Sequence, residues 1–317
     1  MAPTVRASVV LPTHGRPGLL GRAIASVEDQ TFEDWELIVV DDNEPGSAAR
    51  RETEAHMARH SDDGQVRYLR HARNLGGGAA RNTGIRAARG SLVAFLDDDD
   101  EWDSQKLELQ VRCLDAAPPG VAAAYCRVLT INTRTGRERL SATRGGSPSV
   151  RDLLIGNQIG STSSLLCRRS ALHEVGMFDE TLGARQDVDL YVRLARSYSF
   201  CFVDSPLVKL YLHGGPSIGT DYEVSVEAHR RFIAKYRQWI EPDAVVFSSR
   251  LRDLGRLLLW AGQYPEARQV LLRAWRLRPT DIEVAKRIAL TYGLVRRASY
   301  PVRRFLRSGQ GKWSQDG

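Results

Sequence analysis

Residues 92–100 read LVAFLDDDD, so five apolar residues lead directly into four aspartates, Asp97 to Asp100. The apolar run has the length of a buried β-strand, which places the four carboxylates at its carboxyl end. Carboxylates crowded together need positive charge beside them, and a hard divalent cation with oxygen ligands is the usual source. A solvated acidic turn would produce the same pattern, and these residues alone do not decide between the two interpretations.

Strand-like and helix-like segments alternate along the first hundred residues. The strand candidates are 7–11, 36–40, 66–69 and 92–96, and the helix candidates are 19–29, 47–60 and 79–88. This alternation predicts a parallel sheet with helices on both faces, whose ligands bind at the carboxyl ends of the strands. Asp41 and Asp42 follow the second strand as Asp97 to Asp100 follow the fourth, so both acidic groups are expected at one edge of the sheet.

The pattern changes in the later part of the chain. Strands are predicted near 121–131 and 164–167, and the polar stretch 133–149 between them is interpreted as part of an acceptor-side subdomain with loops. From about residue 221 the pattern becomes wholly helical. We therefore predict an α/β domain over 1–220 and a helical region over 221–317.

Part of the helical region has the spacing of a tetratricopeptide repeat. The matching residues are Leu251, Leu254, Gly255, Gly262, Tyr264, Ala267, Leu271, Ala274 and Pro279. A single repeat cannot bury both of its faces, so helices at 225–239 and 282–294 are predicted to cover it. The repeat could bind a protein partner, or it could be a structural cap on the main domain.

The positive charge of the chain is unevenly distributed. The 317 residues are 42% hydrophobic, which is enough for a full core, and the net charge is +7. From Arg273 onward there are eleven Lys or Arg residues and only three Asp or Glu residues. We find no nucleic-acid-binding motif in this basic C-terminus and predict no nucleic-acid partner. Peripheral contact with an anionic membrane is one interpretation, and a solvated helical face is the simpler one, which we favour.

Cysteine usage and the chain ends bear on localisation. The four cysteines are scattered and contain no C-x-x-C pair, which argues against a zinc site and against a disulfide framework. The N-terminus lacks the apolar region of a secretion signal, and no stretch is long enough to span a bilayer. We therefore predict a cytoplasmic protein. Peripheral association with the inner membrane face is an alternative that the sequence leaves open.

Three further residues could carry chemistry. Arg81 follows the glycines 76–78, which are not a dinucleotide fingerprint because Arg81 stands where the third glycine would be. It could meet a base or a phosphate, or it could be only an ion-pair partner. His213 opens a glycine-rich loop, where ligand contact and a plain turn are equally compatible with the sequence. Asp187 begins a helical stretch, where a carboxylate is usually a cap but could be a general base.

Several short motifs combine across the first two thirds of the chain. They are SVVLPTHGR (8–16), SVEDQTF (26–32), ELIVVDD (36–42), NLG (74–76), ARNTGI (80–85), FLDDDDEW (95–102), VGMFD (175–179), DVDL (187–190) and His213. In combination they resemble the family 2 glycosyltransferases. The resemblance implies a GT-A fold, in which a Rossmann-like nucleotide-binding half joins an acceptor half. It also implies metal-dependent, inverting transfer of a sugar from a nucleotide diphosphate to a hydroxyl.

The resemblance further implies roles for individual residues. The nucleotide-sugar donor would be bound by Pro12, Thr13, Arg16, Asp41, Arg81, Asp97 and Asp98. Asp99 would bind Mg²⁺ or Mn²⁺, His213 would assist at the diphosphate and the metal, and Asp187 would be the catalytic base. One position departs from the family pattern, because members usually carry glutamate before the base and this chain has Gln186. An amide can orient a neighbour by hydrogen bonding but contributes no charge.

Sugar transfer of this kind requires carboxylates at two separate places. A cation held by one group stabilises the negative charge that develops on the departing diphosphate, and a second carboxylate removes the proton of the attacking hydroxyl. Asp97 with Asp99, and Asp187, could supply these two places. The acceptor, whether a glycan as in polysaccharide biosynthesis, a lipid-linked molecule or a natural product, is not readable from fold-level similarity.

Two alternative functions stay open. A nucleotidyltransferase that makes an activated sugar shares the nucleotide-binding sheet and the metal, but it would show a glycine-rich, basic loop after the first strand. Residues 13–17, THGRP, are a poor version of such a loop. The other alternative is a non-catalytic binding protein with a transferase fold, and Gln186 is the one residue that supports it.

Overall fold

The computed structural model describes residues 5–60, 64–141, 143, 145–212 and 221–292. His213 and residues 293–317 of the basic C-terminus lie outside the described residues. The strands are β1 Ala7–Thr13, β2 Trp35–Asp41, β3 Val66–Arg70, β4 Leu92–Phe95, β5 Asp100–Trp102, β6 Val121–Asn132, β7 Glu138–Leu140, β8 Leu165–Arg168 and β9 Ser199–Leu212. The helices are α1 Pro17–Glu28, α2 Ala48–Met57, α3 Gly77–Ala87, α4 Lys106–Asp115, α5 Val150–Ile155, α6 Arg169–Glu174, α7 Gln186–Ala195, α8 Tyr222–Lys235, α9 Arg237–Ile240, α10 Ala244–Trp260, α11 Tyr264–Leu277 and α12 Ile282–Thr291.

The described strands form one mixed sheet. Its order is β3-β2-β1-β4-β8-β6-β9-β5, with β7 paired to β6. The first four strands of this order are parallel, and α1, α2 and α3 connect them in sequence. β8 then pairs antiparallel with both β4 and β6, while β6 and β9 run parallel. The α/β fold predicted from the alternation of segments is confirmed.

Helices cover both faces of the parallel strands, which explains why β1, β2 and β4 are almost continuously apolar. Val9 of β1 belongs to a core cluster with Ile24 of α1 and Leu107 of α4. The neighbouring Val10 faces the opposite side, where α3 packs closely. A Cβ at Gly84 of α3 would lie 2.2 Å from Cγ1 of Val10, so only glycine permits this approach.

The register of the parallel strands brings their carboxyl ends together. Thr13 at the end of β1 is opposite Asp41 at the end of β2, and Val10 is opposite Phe95 of β4. Asp97 to Asp100 follow β4 after a single residue, Leu96. The two acidic groups therefore lie at the same edge of the sheet, as the sequence predicts.

The chain divides into two compact units, residues 1–235 and 236–317. This division lies one helix, α8, beyond the limit at residue 220 that the sequence suggests. In the second unit α10 packs on α11, and a Cβ at Gly255 would lie 2.5 Å from Cγ of Leu271. None of the helices in the described part of the chain is long and apolar enough to cross a membrane.

Candidate active site

The four aspartates after β4 have two different environments. The side chains of Asp97 and Asp99 are 26% and 21% exposed, whereas Asp98 and Asp100 are buried. The buried pair is held inside the protein, and the exposed pair faces solvent at the sheet edge. We refer to the region beside Asp97, Asp99 and Asp187 as the cleft. Only Asp97 and Asp99 can therefore contact a ligand directly without rearrangement of the chain.

Asp98 connects the end of β4 to the loop after β1 through hydrogen bonds and an ion pair. Thr13 Oγ1 donates a hydrogen bond to Asp98 Oδ2 over 2.9 Å, and the backbone N–H of His14 donates to the same oxygen over 3.3 Å. Arg16 Nη2 lies 2.7 Å from Asp98 Oδ1, and Arg16 also forms an ion pair with Asp99. Burial raises the pKa of Asp98 to about 6, against the opposing charge of Arg16. The predicted donor residues Thr13 and Arg16 are thus fixed by the aspartates themselves.

Asp100 points into the core. Ser163 Oγ donates to Asp100 Oδ2 over 2.6 Å, and Ser161 Oγ lies 3.5 Å from the same oxygen. Burial, followed by the charge of Asp97, raises the pKa of Asp100 well above its ordinary value. Asp100 therefore anchors residues 161–163 beneath the cleft and does not face a ligand.

Arg81 connects the end of β4 to the start of α7. Its Nη2 lies 2.5 Å from Asp97 Oδ1, and its Nη1 donates to Gln186 Oε1 over 3.4 Å. Gly76, at φ 88°, begins the turn into α3, and a Cβ at Gly78 would lie 3.0 Å from Nε2 of Gln186. The glycine stretch thus makes a tight turn and also leaves room for Gln186 beside Arg81.

Asp187 lies in the same cleft as Asp97. It sits in the first turn of α7 but does not cap the helix, because Arg185 occupies the N-cap position. Asn157 Nδ2 donates to Asp187 Oδ2 over 3.2 Å. Burial raises the pKa of Asp187. The hydrogen bond from the Val188 backbone and the charges of Arg185 and Arg81 oppose this rise, and the charge of Asp97 adds to it. Because these charges act on one another, the end of β4 and the start of α7 form one electrostatic site.

Asp41, the donor residue predicted after β2, is fully buried and has four donors around it. Asn43 donates to Oδ1 from its backbone and side-chain nitrogens over 2.9 and 2.8 Å. Tyr68 donates to Oδ2, and Arg50 Nε lies 3.3 Å away. Burial and the hydrogen bond to Asp41 raise the pKa of Tyr68. The structure therefore shows Asp41 bound to protein groups, and Pro12 beside it is a half-buried residue of β1.

Asp42 holds the loop between β3 and α3. His71 Nδ1 lies 2.7 Å from Asp42 Oδ1, and the backbone N–H groups of Leu75 and Gly76 donate to its two oxygens over 2.8 Å each. Arg50 donates to the carbonyl of His71 over 2.9 Å. Sequence reasoning missed Arg50, Tyr68, His71 and Asn157, and only the histidine's position before the NLG motif could have signalled a role.

The chemistry of the exposed donors fits a hard divalent cation. Asp99 offers carboxylate oxygens at the mouth of the cleft, and its negative charge helps raise the pKa values of Asp98 and Asp100. A cation bound at Asp99 would offset the electrostatic repulsion among these carboxylates. Over the described ranges, no group of three or more His, Cys, Asp or Glu side chains is placed to hold a metal.

Solved structures share the fold of this chain. S. aureus TarS in complex with UDP-GlcNAc has a TM-score of 0.63 and 15% sequence identity, covering 93% of both chains. A UDP complex of TarS has a TM-score of 0.57 at 14% identity, with the same coverage. At this level of identity the likeness establishes the fold, and it confirms the predicted GT-A architecture.

Three of the sequence relatives match part of this chain and less than half of their own length. An uncharacterized glycosyltransferase of Rickettsia bellii is 32% identical over 213 residues, which are 65% of this chain and 30% of that protein. The Escherichia coli UDP-Glc:alpha-D-GlcNAc-diphosphoundecaprenol beta-1,3-glucosyltransferase WfgD is 33% identical over 104 residues, 33% of this chain and 39% of that enzyme. The pre-mycofactocin glycosyltransferase of Mycobacterium tuberculosis is 31% identical over 193 residues, 59% of this chain and 38% of that enzyme. This chain thus matches less than half the length of each.

The family match covers the acidic edge of the sheet and ends before Gln186 and Asp187. It runs over residues 8–176, more than half of the chain, and includes β1, β2, β4 and the four aspartates. It ends before α10, so the tetratricopeptide interpretation stays a prediction. On the extent of this match, the chain belongs to glycosyl transferase family 2.

Proposed function

We propose that the protein transfers a sugar from a uridine diphosphate sugar to a hydroxyl of an acceptor, with inversion at the anomeric carbon. The observation that carries the proposal is the bridge made by Arg81. It joins Asp97 at the end of β4 to Gln186 at the start of α7, so a donor site and the base Asp187 share one cleft. Inverting transfer needs a leaving-group site and a base on opposite sides of the sugar.

The donor is proposed to lie along the carboxyl ends of β1 and β4. Thr13 and Asp97 would contact the nucleoside, and the guanidinium groups of Arg16 and Arg81 would face its phosphates. Both arginines form ion pairs with carboxylates at this edge, so their side chains are positioned in the absence of a donor. The names of related proteins support a uridine nucleotide, since TarS binds UDP and UDP-GlcNAc and WfgD uses UDP-Glc.

A Mg²⁺ or Mn²⁺ ion is proposed at Asp99, with His213 as the further ligand suggested by family resemblance. When bound, the ion would supply positive charge against the charge that develops on the departing diphosphate. Arg16, which is paired with Asp98 and Asp99, would stand beside it. Asp98 and Asp100 would keep the end of β4 in position from beneath.

Asp187 is proposed to remove the proton of the acceptor hydroxyl. The hydroxyl oxygen forms the new bond to the anomeric carbon as its proton passes to the Asp187 carboxylate. The bond from the anomeric carbon to the phosphate oxygen breaks, and its electron pair leaves with the diphosphate. Burial raises the pKa of Asp187, which makes its carboxylate a stronger base, while Arg81 and Arg185 favour the ionised form that a base must have.

The acceptor is proposed to be a lipid-linked glycan at an anionic membrane surface. WfgD, by its name, acts on a diphosphoundecaprenol-linked sugar. Residues 236–317 contain 16 Lys or Arg and 7 Asp or Glu residues, a net charge of +9, whereas residues 1–235 have a net charge of −2. Such a basic unit would be attracted to acidic lipids. For the helices α10 to α12 both interpretations stay open, a surface for a protein partner or a structural cap.

The proposal is tested with purified protein, a panel of uridine diphosphate sugars, Mn²⁺ and lipid-linked acceptors. Release of UDP with formation of a glycosylated acceptor is expected, whereas a nucleotidyltransferase would consume a nucleoside triphosphate and release pyrophosphate. Asp187→Asn is expected to keep the donor Kd while lowering kcat by about 10²- to 10⁴-fold. Normal turnover by this variant would remove Asp187 from the base role.

The remaining alternative, a non-catalytic binding protein, is tested at residue 186. Gln186→Glu restores the residue that family members usually carry. If the wild-type protein binds a uridine diphosphate sugar without transferring it, and Gln186→Glu transfers it, the natural chain is a binding protein.

A further inference from the structure

Asn157, in the segment between α5 and β8, is held in one orientation by four hydrogen bonds. Its Oδ1 accepts from the backbone N–H groups of Ile159 and Gly160 over 3.0 and 2.8 Å. Its Nδ2 donates to the carbonyl of Gly160 over 2.8 Å and to Asp187 Oδ2 over 3.2 Å. Because backbone groups fix which end of the amide is the oxygen, the N–H₂ group can only face Asp187.

The other groups around Asp187 act on it differently. Arg185 at the start of α7, Arg81 from α3 and Asp97 after β4 act through charge, and Tyr191 lies one helical turn further along α7. Charge attracts the carboxylate without fixing its rotation, and the backbone N–H of Val188, the next residue of α7, also hydrogen-bonds to this carboxylate. The hydrogen bond from Asn157 is directed at a single carboxylate oxygen, and it comes from an exposed residue at the rim of the cleft.

We propose that Asn157 is a positioning residue of the catalytic base, because its directed hydrogen bond to Oδ2 fixes how the Asp187 carboxylate is turned toward the acceptor proton. This inference rests on the proposed role of Asp187. A carboxylate fixed at one oxygen presents the other in a constant direction, which a base must do when the new bond forms. A hydrogen bond to the ionised carboxylate favours that form, so loss of the Asn157 donor is expected to raise the pKa of Asp187.

Asn157→Asp tests the inference by exchanging the donor for an acceptor. The new side chain keeps an oxygen for the amides of Ile159 and Gly160 but loses the hydrogen bond to the Gly160 carbonyl. It replaces the donor to Asp187 with a second carboxylate. We expect kcat to fall by roughly 10- to 100-fold, the loss of a hydrogen bond to a charged group. The acid limb of the pH profile should move to higher pH, because a like charge raises the pKa of Asp187.

Two further variants separate positioning from folding. Asn157→Ala removes the donor without adding charge, so it should lower kcat with a smaller movement of the acid limb. Asn132→Asp is the matched control, because Asn132 Oδ1 accepts from the amides of Arg134 and Thr135 over 3.1 and 2.9 Å in a similar turn. This control should leave kcat and the pH profile unchanged. The donor Kd from calorimetry should stay within about two-fold for all three variants, since none removes a donor contact.

A measurement that does not need turnover completes the test. The carboxyl ¹³C signal of Asp187, identified by its loss in Asp187→Asn, is titrated in wild type and Asn157→Ala, which removes the donor without adding a charge. A higher pKa in Asn157→Ala supports the inference, and an unchanged pKa overturns it even if transfer is impaired. If that pKa rises while Asp187→Asn still transfers sugar, the hydrogen bond is real and the proposed base is what fails.

Discussion

The carboxyl ends of β2 and β4 carry the same sequence pattern but have different environments. After β2, Asp41 and Asp42 are buried, and their oxygens are bound by Asn43, Tyr68, His71 and backbone amides. After β4, Asp97 and Asp99 stay partly exposed and are paired with arginines at the cleft. An acidic pair after a buried strand can therefore either stabilise the scaffold or line the site. The difference lies in the partners that other segments bring.

Of the substitutions considered, one at Asp41 should have the largest effect on stability. Asp41→Ala leaves the hydroxyl of Tyr68 and the guanidinium of Arg50 without their buried anion, so we expect a loss of about 3–5 kcal/mol in the free energy of unfolding. Urea denaturation measures it. Tyr68→Phe, which removes one donor only, should cost less. If Asp41→Ala were as stable as wild type and lost only donor affinity, Asp41 would be a ligand-binding residue, as family resemblance implies.

Asp99 should show the opposite behaviour. Asp99→Ala removes an exposed carboxylate proposed to stabilise charge at the departing diphosphate, so kcat should fall by about 10²- to 10³-fold. The unfolding midpoint should change little, because the side chain is 21% exposed and its removal relieves repulsion with Asp98 and Asp100. Calorimetric Mn²⁺ titration with UDP present should show weakened binding. A large loss of stability with normal turnover would place Asp99 with the scaffold residues.

A buried lysine, Lys106 at the start of α4, should make the stability of the protein depend on pH. Lys106 Nζ donates to Gln110 over 2.6 Å and lies 3.9 Å from the centre of the Trp102 ring, and burial lowers its pKa to about 8. Between pH 8 and the ordinary lysine pKa of 10.5, the unfolded chain binds a proton that the folded chain does not. Stability must therefore rise with pH across this window.

The measurement compares wild type with Lys106→Met by urea denaturation from pH 7 to pH 10. Over this range, the free energy of unfolding of wild type should increase by up to roughly 3 kcal/mol relative to that of the variant. Taking the difference cancels the titration of other groups. A difference that does not vary with pH would mean that Lys106 titrates alike in both states.

The smallest predicted effect concerns the packing of α3 on β1, which carries Arg81 to the end of β4. Gly84→Ala places a Cβ 2.2 Å from Val10 and should cost about 1–3 kcal/mol through overpacking. Gly18→Ala in α1 is the matched control, because nothing lies within 4 Å of its Cβ position, and it should be neutral or slightly stabilising. Equal effects of the two substitutions on thermal unfolding would contradict the packing argument.

Local sequence patterns were sufficient to predict the architecture of the first unit and the edge of the sheet that carries the acidic residues. Apolar periodicity is a local property, so strands alternating with helices can be read without contacts. Parallel strands joined by helices bring their carboxyl ends together, which is why Asp41 and Asp97 to Asp100 were expected at one edge. The helix start at Asp187 and the glycine turn before Arg81 also followed from local rules.

Contacts between segments that are distant in sequence determine which carboxylates are bound by the protein and which face the cleft. Tyr68 reaches Asp41 across 27 positions of sequence, Asn157 reaches Asp187 across 30 and Thr13 reaches Asp98 across 85. Arg50 looks like a surface residue of α2 in the sequence, yet it is 5% exposed. Hydrogen bonds and ion pairs depend on where distant segments meet, and burial then sets the pKa and the cost of each charge. Local patterns contain neither quantity, so the roles of these residues emerge from packing.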